Sequence, residues 1–431
     1  MSHTPGQVEP STCRALMNCN RKSLCVLVGC LWSLAALAAE HTHPAGPINP
    51  ACADASALPS VQCARSPTPA VGDSGRLWLA WFLRGHVYVQ YSDDRGKHYS
   101  LPMAVNRTPE QVDDQGEDRV QIALGEGGEI YLAWTQKLEK KYTGNIRFTR
   151  SLDGGHHFDE PRTVNDDGLE IGHRFPVLSV RPQGAVRLSW IDKRALESAR
   201  AGNQEFLGAS LYTAVSRDRG EHFEANQKLI DHSCECCRLA VANQENGHSV
   251  LLYRHVFPGN VRDHALMYID ESMASGAIQR ISEDQWQIEG CPHHGPAIAS
   301  AGGTEHLAWF TGGQNRQGLF YAHASNRDGL FLVSHPQPFG LPGSERPSVA
   351  ATGGEVVLAW KRFEHDRTRV YAQKSLDGGQ SWQPAKVVAE SLGGSDHPLL
   401  TVIDQQVFLS WKSDPEGYRL ISLNTDPESL P

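Results

Sequence analysis

The sequence has no excess of positive charge and no apolar run long enough to cross a bilayer. Lys and Arg total 40 against 49 Asp and Glu, a formal net charge of -9. There is therefore no basic field to release counterions from phosphates, and nucleic acid is excluded as a natural partner. Charged residues are 21% and hydrophobic residues 40%, with 40 Gly and 25 Pro, a composition of soluble, turn-rich chains rather than disordered or membrane-embedded ones. The 431 residues allow two or three average domains, but also one radial all-β fold.

The one pronounced apolar run lies near the start. Arg21 and Lys22 precede Leu24 to Ala39, which closes on Ala36-Leu37-Ala38-Ala39 before polar Glu40-His41. The run falls short of the roughly 20 residues a spanning helix needs, and its charged, apolar and small-residue regions are those of a secretory signal peptide. We expect residues 1–39 to be removed after Ala38 or Ala39, with Met17 as the true start. Export would be to the periplasm or medium. Leu27-Val28-Gly29-Cys30 also resembles a lipidation motif, but the apolar stretch continuing past Cys30 argues against anchoring there. Beyond the leader remain Cys52, Cys63, Cys234, Cys236, Cys237 and Cys291, an even set for which an oxidising compartment makes disulfides the plain expectation.

Internal repetition is the strongest signal. Strand-like segments ending in an aromatic recur at Trp81, Trp134, Trp190, Tyr253, Trp309, Trp360 and Trp411, with spacings from 51 (Trp309 to Trp360) to 63 residues (Trp190 to Tyr253). Each follows a short apolar segment and, in most repeats, a Gly-containing turn, and each precedes a third strand such as Val87-Tyr88-Val89-Gln90-Tyr91. Short strands repeating at this period specify blades around an axis. The expected fold is an all-β propeller of about seven four-stranded blades (six being the alternative) over residues 66–424, with 425–431 as a tail. The last repeat lacks an outer strand, so residues 40–65 are expected to supply it, closing the ring by pairing N- and C-terminal strands.

A second element follows the third strand: Ser92-Asp94-Gly96-Tyr99, Ser151-Asp153-Gly155-Phe158, Ser216-Asp218-Gly220-Phe223 and Ser375-Asp377-Gly379-Trp382, with a degenerate copy from Ser325 to Phe331. The carboxylate can accept backbone N–H bonds across a hairpin and the glycine can supply positive φ, which makes the element structural. The pattern resembles the Asp-box of the sialidase-like (BNR) propellers, and the resemblance covers nearly all of the chain after about residue 66. Sialidases of that superfamily have six blades, so a count of seven separates this chain from them.

In a propeller, the loops entering the innermost strands converge at the mouth of the central channel. Those entries read Glu117-Asp118-Arg119, His173-Arg174, Cys234-Glu235-Cys236-Cys237-Arg238, Cys291-Pro292-His293-His294, Glu345-Arg346 and Asp396-His397. The loop after Tyr253 adds Arg254, His255, Arg262, Asp263 and His264. Blades four and five are neighbours, so Cys234, Cys236, Cys237, Cys291, His293 and His294 should face one another and can close around copper or zinc, copper being favoured. Disulfides are the competing reading, as is a redox-active mixture; the short ring between Cys234, Cys236 and Cys237 makes pairing among them difficult. A new amino terminus Ala39-Glu40-His41 can also take Cu(II) through its amine, amides and the His41 imidazole.

The resemblance also implies a glycosidase with three arginines on a substrate carboxylate, a Tyr–Glu nucleophilic pair and an Asp acid/base. Glu235 followed by Arg254 matches the family's Glu and second Arg in order, and Arg316 the third. The segment that should carry the first reads Arg65-Ser66-Pro67-Thr68-Pro69, out of register, and Asp113, Asp114 and Tyr371 are the candidates to complete the set. On this reading the partner is an acidic or other glycan ligand, bound by a rim of Arg119, Arg174, Arg238, Arg262 and Arg346. The plainer reading is that these arginines make blade-to-blade ion pairs with acids such as Glu117, Asp118 and Glu345. A disulfide-braced scaffold is the third alternative.

Overall fold

The computed structural model describes residues 47–424 apart from 55, 115–116, 182–183, 245–247, 270–277 and 328–329; the leader, Cys30 and His41 lie outside the described residues. Seven antiparallel sheets form the blades of a propeller, the count that the aromatic repeat predicts. Blade one runs Arg65–Val71, Leu77–Leu83, His86–Ser92 and Met103–Ala104 from axis to edge. The inner strands of the other six are Gln121–Leu124, His173–Val180, Ala240–Asn243, Ala297–Ala301, Ser344–Thr352 and Leu399–Ile403. Among the described residues no helix is long and apolar enough to cross a membrane.

The repeated aromatics lie within the second strand of each blade and are buried almost completely. The indoles of Trp81, Trp134, Trp190, Trp309 and Trp411 each donate their N–H: Trp134 donates to Glu110 at 2.9 Å and Trp309 to Asp284 at 3.0 Å. Between blades, the packed faces fuse into shared cores. One unites Phe175, Ile191 and Leu211 of blade three with Leu251, Tyr253 and Met267 of blade four.

The Asp-boxes close the hairpin from third to fourth strand. Asp94 Oδ1 accepts from the His98 N–H at 2.9 Å and the Ser92 hydroxyl at 2.8 Å, while Ser92 Oγ accepts from the Gly96 N–H at 2.8 Å. The same bonds recur at Asp153, Asp218 and Asp377. The closing aromatic reaches across to the preceding blade, with Phe223 edge-on to Phe148 at 4.9 Å and Trp382 edge-on to Tyr321 at 4.8 Å. The box glycine is required twice over. At Gly379 φ is +89°, and a Cβ there would overlap the Tyr321 ring of the preceding blade.

These boxes give the fold an acid-sensitive component. Hydrogen bonds from the residue four positions on (His98, His157, His222 or Ser381) hold each box carboxyl well below the ordinary carboxylate range. A depressed carboxyl pKa stabilises the fold fully above the unfolded value, about 3.9, and progressively less as pH falls below it. We expect the melting temperature to fall as the pH drops below about 4, and to fall less steeply in an Asp153→Asn/Asp218→Asn variant; equal slopes in the two proteins would contradict this.

Ring closure differs from the expectation. Blade seven has three strands, Leu399–Ile403, Gln406–Ser413 and Gly417–Ser422. The segment before residue 65 does lie at its outer edge, but as two 3-10 turns, Pro50–Cys52 and Val61–Cys63, joined by a Cys52–Cys63 disulfide. Asn49 N–H donates to the Asp414 carbonyl at 2.7 Å and the Gln62 amide to that of Tyr418 at 3.4 Å. Three prolines between residues 44 and 50 remove N–H donors a ladder would need. The ring is sealed by side chains: Val61, Ala64, Leu77 and Trp81 pack with Ile403, Phe408 and Tyr418.

Candidate metal and ion-pair site at the channel mouth

The inner-strand entries converge as the blade topology dictates, and one carboxylate organises them. Glu117 of blade two is buried. Its Oε1 accepts from Arg238 of blade four at 2.8 Å and Arg346 of blade six at 2.7 Å, and its Oε2 from the Gly295 N–H of blade five at 2.8 Å. His397 of blade seven stands 3.5 Å from Oε1. Burial pushes the Glu117 carboxyl up, but Arg238, Arg346 and the Gly295 N–H together outweigh it and hold it below its ordinary value. Burial, then the surrounding cations, drive His397 far below the usual imidazole range. Beneath this cluster the channel encloses a cavity of about 230 Å³ lined by Arg119, Phe175, Arg238, Pro296, Arg346 and His397, which is below the usual size of small-molecule sites.

Arg119 and Arg174 are also matched to carboxylates of other blades. Arg119 meets Asp396 at 2.9 Å, and Arg174 meets Asp113 at 2.5 Å with Asp118 at 3.8 Å. Burial, then the Asp113 charge, push Asp118 up to about 7. Arg262 takes a different partner, pointing Nη1 at the Cys234 sulfur, 3.9 Å away, with Nε on Asn260 at 3.3 Å.

The residues of the glycosidase reading take partners within the chain. Arg254 is 1% exposed. Its guanidinium lies 4.4 Å above the Trp286 ring and donates to the carbonyls of Arg262, His294 and Phe310. Glu235 pairs with Lys193 at 2.5 Å, and Arg316 with Asp284 at 3.1 Å. Asp113 is held by Arg174 and Asp114 by Arg65. Tyr371 does bond a glutamate, Glu364, but within blade six and beside Arg362 and Arg369. Lys193 and the Trp286 shelf carry no sequence signal that would have singled them out.

The cysteines do converge. Cys234, Cys236 and Cys237 sit in the loop between the outer strand of blade three and the inner strand of blade four, buried and unbridged. Their sulfurs all lie within 4.8 Å of one another, with Cys234 and Cys236 3.9 Å apart. Burial raises the Cys234 thiol, but bonds from Cys236 and Cys237 and the Arg254 charge outweigh it and bring it well below the ordinary value. The Cys234 bond drives Cys236 up, and burial does the same to Cys237. A second trio shares one member: Cys236, Cys291 and His293 also lie within 4.8 Å, the latter two exposed. His294 joins neither group. Its ring stacks on Phe310 at 4.2 Å, and burial followed by the Arg346 charge lowers it to about 3. A further trio, Asp167, His173 and Asp192, is occupied by Arg194, which pairs with both carboxylates.

No family model matches the chain, nor does any curated protein sequence. Solved structures do share its architecture. An ulvan lyase from a new polysaccharide lyase family aligns with a TM-score of 0.52 and 11% identity over 85% of this chain and 93% of its own. The lyase bound to -[GlcA(1-4)Rha3S]- gives 0.52 and 11% over 88% and 94%. In fold, this is a seven-bladed β-propeller. The NanB sialidase of Streptococcus pneumoniae aligns at 0.46 and 10% over 70% of this chain and 65% of its own. At such identities the likeness is one of fold alone.

Proposed function

We propose that this chain is an exported propeller that binds a soft transition metal ion, copper or zinc, at the channel mouth. The observation that carries the reading is the convergence of the Cys234, Cys236 and Cys237 sulfurs, with Cys291 and His293 of the next blade completing a five-donor set around Cys236. Three thiolates around one ion suit Cu(I), and the Cys and His donors gathered around Cys236 are also of the types zinc takes. A triangle of sulfurs at about 2.3 Å from an ion has edges of about 4 Å, close to the Cys234–Cys236 separation of 3.9 Å. Arg254 and Arg262 supply positive charge beside the sulfurs, which offsets that of three thiolates. The leader sequence and the Cys52–Cys63 disulfide fit an oxidising compartment, where buried thiols survive best when a metal holds them. A glycan-cleaving reading draws less support, because Arg119, Arg174, Arg238 and Arg346 are each already paired with a carboxylate of the chain.

The test is elemental analysis with a free-thiol count on protein purified anaerobically from the periplasm, beside a Cys236→Ser/Cys237→Ser variant. We expect stoichiometric copper or zinc that disappears in the variant. Protein with neither metal nor free thiols, before and after reconstitution with Cu(I) or Zn(II), would overturn the proposal in favour of a disulfide-braced scaffold.

A further inference from the structure

Building on the metal-site reading, we infer that the five donors form two stations sharing Cys236, an exposed one that captures Cu(I) and a buried one that retains it. The outer station is Cys236, Cys291 and His293; the inner is Cys234, Cys236 and Cys237. Their burial differs sharply. The inner three sulfurs are all enclosed, whereas Cys291 and His293 stand in solvent on the loop that enters blade five.

That loop is fixed in place. The Gly295 N–H is held by Glu117 and the His293 carbonyl by Arg346. His293 itself adopts φ +50°, a left-handed conformation that non-glycine residues rarely take unless the surroundings impose it. An exposed thiol and imidazole are thus presented beside a buried thiol by contacts from blades two and six, and metal exchange between aqueous donor and interior has a defined entry.

The transfer is a ligand exchange without redox change. Cu(I) held by Cys236, Cys291 and His293 keeps its bond to Cys236 while Cys291 Sγ and the His293 nitrogen leave and Cys234 and Cys237 enter. Each entering thiol that carries a proton releases it to water, the departing Cys291 thiolate takes one up, and no electron moves. A shared ligand keeps the ion from ever being free, and soft thiolates over imidazole favour the inner station for a monovalent soft cation. Arg262, pointed at Cys234, adds positive charge on the inner side, where three thiolates around one monovalent ion leave an excess of negative charge.

The test is anaerobic Cu(I) loading followed in time, and Cu(I) withdrawal by a chromogenic chelator, for the full mature chain, Cys291→Ser/His293→Ala and Cys234→Ser/Cys237→Ser. Thermal melting checks that each variant is folded, and His293→Ala alone serves if a double variant is not. The outer variant should still bind one Cu(I), losing less affinity than the inner variant, but load at least about tenfold more slowly, and the inner variant should load quickly but surrender Cu(I) at least about tenfold more readily. An outer variant that loads at the native rate, or loses affinity as severely as the inner one, would overturn the two-station inference and leave a single composite site. A native chain that takes up no Cu(I) would instead defeat the metal reading itself.

Discussion

Replacing Glu117 by Ala is expected to destabilise the propeller by about 3–5 kcal/mol, because it strips the shared counter-charge from two buried arginines. Arg238 and Arg346 both place a guanidinium N–H on Glu117 Oε1, and the Gly295 N–H loses its acceptor as well. Three blades are then disconnected at the channel mouth, and the Cys291–His293 loop loses one of its two anchors. Glu117→Gln should fall between the two, since its amide oxygen can still accept one of these bonds. Urea unfolding checks the magnitude. A loss under about 1 kcal/mol would show that the pairs behave like exposed surface ion pairs.

Arg254→Met is the second large effect, with an expected loss of about 3–5 kcal/mol, since each buried carbonyl left without a donor costs about 1–3 kcal/mol. The carbonyls of Arg262, His294 and Phe310 all accept from this one side chain. Lysine should rescue little of it, for it can neither fork across three acceptors nor lay a planar cation on Trp286. Metal affinity should fall as well, because the Arg254 charge lies beside the thiols. A variant with native stability and native metal affinity would contradict this, and one whose only defect is glycan binding would return Arg254 to the role that family resemblance implies.

The blades were legible because burial of one large aromatic per second strand is a local, periodic demand. Trp81, Trp134, Trp190, Tyr253, Trp309, Trp360 and Trp411 each mark a strand in the sequence, and each is enclosed in the structure. The Asp-boxes were legible for the same reason, since Ser, Asp and Gly bond within one turn. The direction of the box aromatics, onto the preceding blade, depends on how neighbouring blades pack and could not be read from the motif alone. Ring closure was misread because a missing strand invites a replacement strand, whereas Pro50–Cys52 and Val61–Cys63 turn tightly around Cys52 and Cys63 without joining the ladder.

Within the site, the meeting of the two cysteine loops followed from blade adjacency. Which histidine of the pair would join them did not. His293 and His294 are consecutive, and the loop sends the first toward Cys236 and the second onto Phe310. The Glu117 hub was visible only as one of several acids expected to pair with arginines. Its partners come from 121, 178 and 229 residues away in the chain, and nothing local in the sequence ranks it above Asp118 or Glu345.

The most direct test of the central claim is X-ray absorption at the metal edge of the Cu(I)-loaded chain, beside Cys236→Ser. A shell of sulfur neighbours, about three per ion, that collapses in the variant is the predicted result; a shell of nitrogen and oxygen alone, or a spectrum unchanged by the substitution, would contradict it.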